Sequence, residues 1–131
     1  MPRCATAGIS VLCCLICGCA LNQRKSLWIE PAGEKHALHA AIPRGSTIEL
    51  ATSVMKGRGY DVEVVRDGEF VEGGNIVGGP PPTAYIKHAD FLKCIKTQPL
   101  RVGLSQLLDA AIVVKDGATG DILLNSFTDG T

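Results

Sequence analysis

The chain is short of most features that would reveal a chemistry. Aromatic residues make up 5% of it, and 13 Lys and Arg stand against 13 Asp and Glu. Without a basic face to neutralise phosphates or aromatics to stack bases, nucleic-acid binding is not expected. No apolar run approaches the roughly 20 residues that a helix needs to cross a bilayer. The glycine- and proline-rich stretch 73–82 (GGNIVGGPPP) contains no Gly-Lys-Ser/Thr and opens no helix, which excludes a phosphate cradle and leaves a loop. Cysteine is scarce where a fold would need it. Five of the six cysteines, Cys4, Cys13, Cys14, Cys17 and Cys19, crowd the N-terminus, and only Cys94 lies further on. Cys94 therefore has no partner for a disulfide within a domain, and the fold must hold without a covalent staple.

What is present begins with Leu15-Ile16-Cys17-Gly18-Cys19, directly behind an apolar or small stretch over 5–17. An apolar residue, a glycine and a cysteine in that order look like the lipobox of a bacterial lipoprotein signal. About a dozen apolar residues suit a signal core and fall short of a membrane span. The expectation is a signal peptide over 1–18 and a lipid-modified Cys19. Residues 19–41, mixed and polar with Pro31 and Gly33, then serve as a flexible tether, and a small domain occupies 42–131. Cleavage removes Arg3 and leaves twelve Lys and Arg against thirteen Asp and Glu. A domain of this size buries roughly 60–65% of its unfolded surface, enough for one modest core.

Ser46 followed by Glu49 has capping-box spacing, so the first predicted helix runs from about Thr47 to Lys56. Ile48, Leu50, Ala51, Val54 and Met55 give it one apolar stripe, and Gly57 and Gly59 permit its exit. The period then changes to two. Tyr60, Val62 and Val64 alternate with Asp61 and Glu63, and Asp67-Gly68 offers the positive-φ positions of a tight hairpin turn, with 69–72 leading back. Further strands are expected over 84–86 and 91–95, around Asp90, with Pro99 ending that unit. A second hairpin is expected from 110–115 and 121–127 about the turn 116–120. Residues 104–111 fit helical spacing as well as strand. The predicted fold is α+β, one helix packed on a four-stranded antiparallel β-meander.

The ordered landmarks are Ile42-Pro43-x-Gly45-Ser46, a helix, Gly59-Tyr60, a hairpin, Asp90-Phe91-Leu92-x-Cys94, and a last hairpin on Lys115-Asp116-Gly117 closing in Thr128-Asp129-Gly130. Over about 42–131 they resemble a group of small, uncharacterised bacterial lipoproteins. More distantly the layout is similar to the small lipoprotein subunit of the outer-membrane barrel-assembly machinery and to β-lactamase-inhibitor-like modules. The group often has a cysteine where Val62 stands, so the resemblance implies that a bridge to Cys94 is lost here. It also implies a location on the periplasmic side of the cell envelope, at a membrane surface that can be the outer membrane, and partners among other envelope proteins.

Other constellations weigh less. His36 and His39, with Glu30 and Glu34 nearby, have H-x-x-H spacing that could hold a metal on one helix face, though an exposed polar pair fits them better. Cys94 with His88 as nucleophile and base lacks any motif that joins them. Asp61 and Glu63 fall on the polar side of a strand, where solvated carboxylates belong. The sequence thus points to a non-enzymatic accessory or protein-interaction module held by lipid at the envelope, with no catalytic residue, cofactor or metal. A small-ligand or metal-binding envelope protein is the alternative.

Overall fold

The computed structural model describes residues 27–74 and 78–130. Two helices, α1 (Pro31–Ala41) and α2 (Ile48–Gly57), precede four strands, β1 (Asp61–Glu72), β2 (Ala84–Arg101), β3 (Leu104–Lys115) and β4 (Ala118–Gly130). The strands form one antiparallel sheet in the order β1-β2-β3-β4. The fold is therefore α+β on a four-stranded meander, but with two helices rather than the one expected.

The additional helix, α1, lies in the stretch read as tether. Pro31 sits at its first turn, where a missing N–H costs nothing. Only Glu34 and Leu38 of the helix are buried, four residues apart, and Ile42 continues the stripe just beyond its end. An 11-residue helix with so narrow an apolar face is marginal in water, so its stability comes from the sheet it covers.

The α2 helix matches its sequence signal except at its start. Thr47, not Ser46, is the cap: the Leu50 N–H donates to Thr47 Oγ1 at 3.1 Å, while the Ser46 hydroxyl donates to the Pro43 carbonyl at 2.6 Å. The exit is a Schellman turn. Gly59, at φ 92°, lets the Tyr60 N–H reach the Met55 carbonyl and its own N–H reach that of Lys56, both at 3.0 Å.

The largest departure concerns Asp67-Gly68. Instead of turning a hairpin, β1 runs straight through it, with the register against β2 shifting on both sides of Gly68. The result is a β-bulge. A Cβ on Gly68 would stand 3.1 Å from the Phe91 ring and 2.5 Å from Val65, so glycine admits the close approach that the bend needs. In β2, 84–86 and 91–95 are parts of one 18-residue strand, with His88 at φ 52° opposite the bulge. Pro99 does not end it. Past Ile95, the partner of Asp61, β2 has no β1 neighbour, and a residue without an N–H is tolerated on such an open flank. Residues 104–111 are strand, and Asp116-Gly117 forms a two-residue turn closing the pair Lys115 and Ala118.

These irregularities determine where the core sits. On one face of the sheet, Leu92, Cys94, Leu108, Ala110, Ile112, Ile122 and Leu124 pack against Leu38, Ile42, Ala51 and Met55 of the helical layer. The opposite face has its own cluster: Phe70, Phe91, Ala111 and Leu123. The bulge re-aims the outer part of β1 so that Phe70 faces this second cluster, edge-on to Phe91 at 6.0 Å between ring centres. Residues 110–112 and 122–124 are consequently buried on both sides.

The bent arm also reaches the far edge of the sheet. The Leu124 N–H on β4 donates to Glu72 Oε2 at 2.8 Å, the Gly73 N–H donates to Asn125 Oδ1 at 2.8 Å, and Asn125 Nδ2 donates to the Val71 carbonyl at 2.6 Å. Two side chains thus bridge the first and last strands and cover an edge that would otherwise invite another strand.

Candidate functional site

Polar groups inside the molecule gather where α1 meets the rest. Glu34, 6% exposed, accepts from the Tyr60 hydroxyl at 3.0 Å and from the Arg58 guanidinium. Burial, reinforced by the Glu34 carboxylate, pushes the Tyr60 hydroxyl well above its ordinary pKa, so it serves as a donor and not as a base. Lys96 Nζ lies 5.6 Å from the centre of the Tyr60 ring. On the other side of α1, Lys35 pairs with Glu72 at 2.8 Å. Burial tends to raise the Glu72 pKa, but bonds from Lys35, the Leu124 N–H and Thr83 outweigh it and hold the carboxyl below its ordinary value.

Just ahead of α1, Gln106 holds the extended chain. Its carboxamide is fully buried, accepts from the Ile29 N–H at 2.9 Å, and donates to the Ile29 carbonyl at 2.7 Å and to Ser126 Oγ at 2.9 Å. One side chain thereby imitates a strand partner for Ile29, and the chain is fixed from this point onward.

Of the residues singled out in the sequence, Cys19 lies outside the described residues. His36 and His39 do share α1. His36 is exposed, and the His39 pKa is lowered by partial burial and then by the cations Lys35 and Arg44. That cationic setting is a poor one for a metal ion, and Glu34 is already committed to Arg58 and Tyr60. Among the described residues no group of three or more His, Cys, Asp or Glu is placed to hold a metal.

Cys94 is fully buried, with its thiol directed to the Leu92 carbonyl at 3.8 Å. Burial, with a smaller contribution from Asp109, pushes that thiol up to about 12, so it is protonated and shielded. His88 is exposed and faces Asp67 at 3.1 Å, so the structure does not bring it to Cys94 as a base. Val62 stands directly opposite Cys94 in the β1–β2 register. Asp61 and Glu63 are exposed, with Lys93 as the cross-strand neighbour of Glu63.

The surface has clefts, and the polar wall of the one beside α1 is occupied. One of 330 Å³ between α1, β4 and the loop after β1 is lined by Lys35, Glu72, Thr83 and Asn125. Each of these bonds another part of the fold: Lys35 and Thr83 to Glu72, and Asn125 to the β1 backbone. A narrower cleft of 210 Å³ between Ile48, Val64 and Phe91 is largely apolar. Neither gathers a nucleophile, a base and an oxyanion donor. Gln106, Glu34 and Glu72 carried no readable signal in the sequence, because their partners lie 77, 26 and 52 residues away.

The chain matches no protein-family model, no curated protein and no solved structure. What defines it is the architecture described above: a bulged, self-covering meander under two helices, with the entering chain clamped by a buried carboxamide.

Proposed function

We propose that this protein is a lipid-anchored lipoprotein of the bacterial cell envelope, cleaved after Gly18 and modified at Cys19, whose domain is a non-enzymatic accessory or protein-interaction module. The observation that carries the reading is the apolar run ending in Leu15-Ile16-Cys17-Gly18-Cys19. The domain supports the non-enzymatic half: Glu34, Gln106 and Glu72 each tie helices or strand edges together, and its buried thiol is protonated. Its partners would be other envelope proteins, as the similarity of its expected layout to the assembly-machinery lipoprotein implies.

Membrane fractionation of the wild type and Cys19→Ser, followed by cross-linking and co-purification from membranes, tests both halves. The wild type should partition with membranes and bring down a reproducible partner, while Cys19→Ser should be released, because acyl chains contribute about 0.8 kcal/mol per buried CH₂. Equal retention of the two forms sinks the anchor. Stoichiometric metal uptake abolished by His36→Ala would replace the interaction reading with the metal-binding one.

A further inference from the structure

The path of the chain into the domain has a geometric consequence for any surface that holds its N-terminus. Ile29 is clamped by Gln106, which lies three residues along β3 from the β2–β3 turn at Gly103, roughly 10 Å at strand rise. From Ile29 the chain proceeds into α1, whose first turn borders Leu124, Asn125 and Ser126, further from that turn. Leu27 and Trp28 precede the clamp, and the path from α1 back through Ile29, extrapolated by two residues, heads toward the β2–β3 turn. Both are substantially exposed, at 45% and 41%. At the turn itself Val102 is completely exposed, beside the cation Arg101.

We propose that this end of the sheet, presenting Leu27, Trp28 and Val102, docks into the interfacial layer of a lipid bilayer. The inference rests on the lipid-anchor reading and extends it from attachment to orientation. An exposed tryptophan and an aliphatic tip beside a cation are what the headgroup region accepts, since the apolar groups enter the boundary while Arg101 meets anionic headgroups. Glu30 and Asp129 are the carboxylates nearby in the sequence and register. The opposite end presents Asp67, Asp90 and Asp116, with Arg66, Lys87, His88 and Lys115 among them.

Reach makes the same choice. Seven residues lie between Cys19 and Leu27, and the eight Cα-to-Cα steps span no more than about 28 Å even when fully extended. With the clamp in place, the sequence that joins Cys19 to the domain ends near Trp28, well short of Ala41. The Asp116 end of β3 lies a further strand length away, roughly 40 Å from the Val102 end.

Cys94 is the only free thiol among the described residues and is buried, so a cysteine placed on the surface can be labelled alone. The lipidated Val102→Cys and Asp116→Cys proteins, each carrying an environment-sensitive dye, would be reconstituted in phosphatidylethanolamine–phosphatidylglycerol vesicles with and without brominated acyl chains. The dye at position 102 should be quenched about twofold or more by the brominated lipid and blue-shifted, and the dye at 116 should be unaffected. Trp28, the only tryptophan in the chain, should be quenched in the wild type and less so in Val102→Asp. Proteins that float with the vesicles but show the same response at 102 and 116 overturn the docking while leaving the anchor intact. Failure to float at all sinks the anchor reading, and the docking with it.

Discussion

Two of the chain's three Asp-Gly dipeptides, Asp67-Gly68 and Asp116-Gly117, begin from the same backbone conformation and do opposite things. Both aspartates adopt a positive φ, 51° at Asp67 and 54° at Asp116. At Asp116-Gly117 the chain reverses in a two-residue turn with Gly117 at φ 78°, and β3 and β4 pair on either side. At Asp67-Gly68 it continues as a bulge, because β2 supplies one long partner reaching from Ala84 to Ile95 along the whole of β1. The local preference of the dipeptide for a left-handed residue is satisfied in both places. Whether that residue becomes a turn or a bend depends on which strand has the next matching face. Each copy is then held by a different part of the molecule. The lead-in to α2 grips the second, through the Thr119 N–H to the Ser46 carbonyl at 3.0 Å and the Gly45 N–H to the Thr119 carbonyl at 2.8 Å. Glu72 and Asn125 hold the arm that follows the first.

The strongest way to break the first copy is to remove what the bulge packs. Phe91→Ala should cost about 3–5 kcal/mol in urea melts, because the ring fills the second-face cluster and contacts Phe70. A loss below about 1 kcal/mol would mean that the bent arm does not cover that face.

Substituting the two glycines sharpens the comparison directly. Gly68→Ala should destabilise by about 1–3 kcal/mol through overpacking against Val65 and Phe91. Gly117→Ala, with open space around its Cβ but a left-handed φ, should cost about 1–2 kcal/mol from backbone strain alone. A double-mutant cycle separates the causes: Val65→Ala should recover part of the Gly68→Ala loss and none of the Gly117→Ala loss. Equal coupling in both cycles would deny the distinction.

At the loop that grips the second copy, Thr47→Ala should cost about 0.5–2 kcal/mol through loss of the α2 cap, and Ser46→Ala, whose hydroxyl bonds only the Pro43 carbonyl, should cost less. The reverse ranking would return the cap to Ser46.

The smallest effect concerns the tie that closes the first arm. Glu72 has a folded pKa below the ordinary 4.5, so its stabilisation is present above that pH and fades as the pH falls through the folded value. The stability gap between the wild type and Glu72→Gln should therefore be full at pH 7 and shrink on acidification below about 4.5. A gap that stays constant with pH would show that the carboxylate's charge contributes nothing.

Some of this molecule is determined by neighbours in sequence and can be read there. The Ile48-to-Met55 stripe makes an amphipathic helix, Gly59 ends it, Asp116-Gly117 turns a hairpin, and the alternation about Val62 and the apolar run 91–95 make strands, because each depends on side-chain periodicity or on φ at one residue. The burial of Cys94 is legible in the same way, since it lies within the apolar run Phe91-Leu92-x-Cys94-Ile95. Tertiary structure alone decided the rest. Helix α1 needs the sheet to be stable, Gln106 needs the backbone of Ile29, and Asp67-Gly68 needs β2 to become a bulge. In each case the stabilising partner is 21 or more residues away, and the free energy that selects the conformation comes from burial and from hydrogen bonds completed only when the sheet has formed.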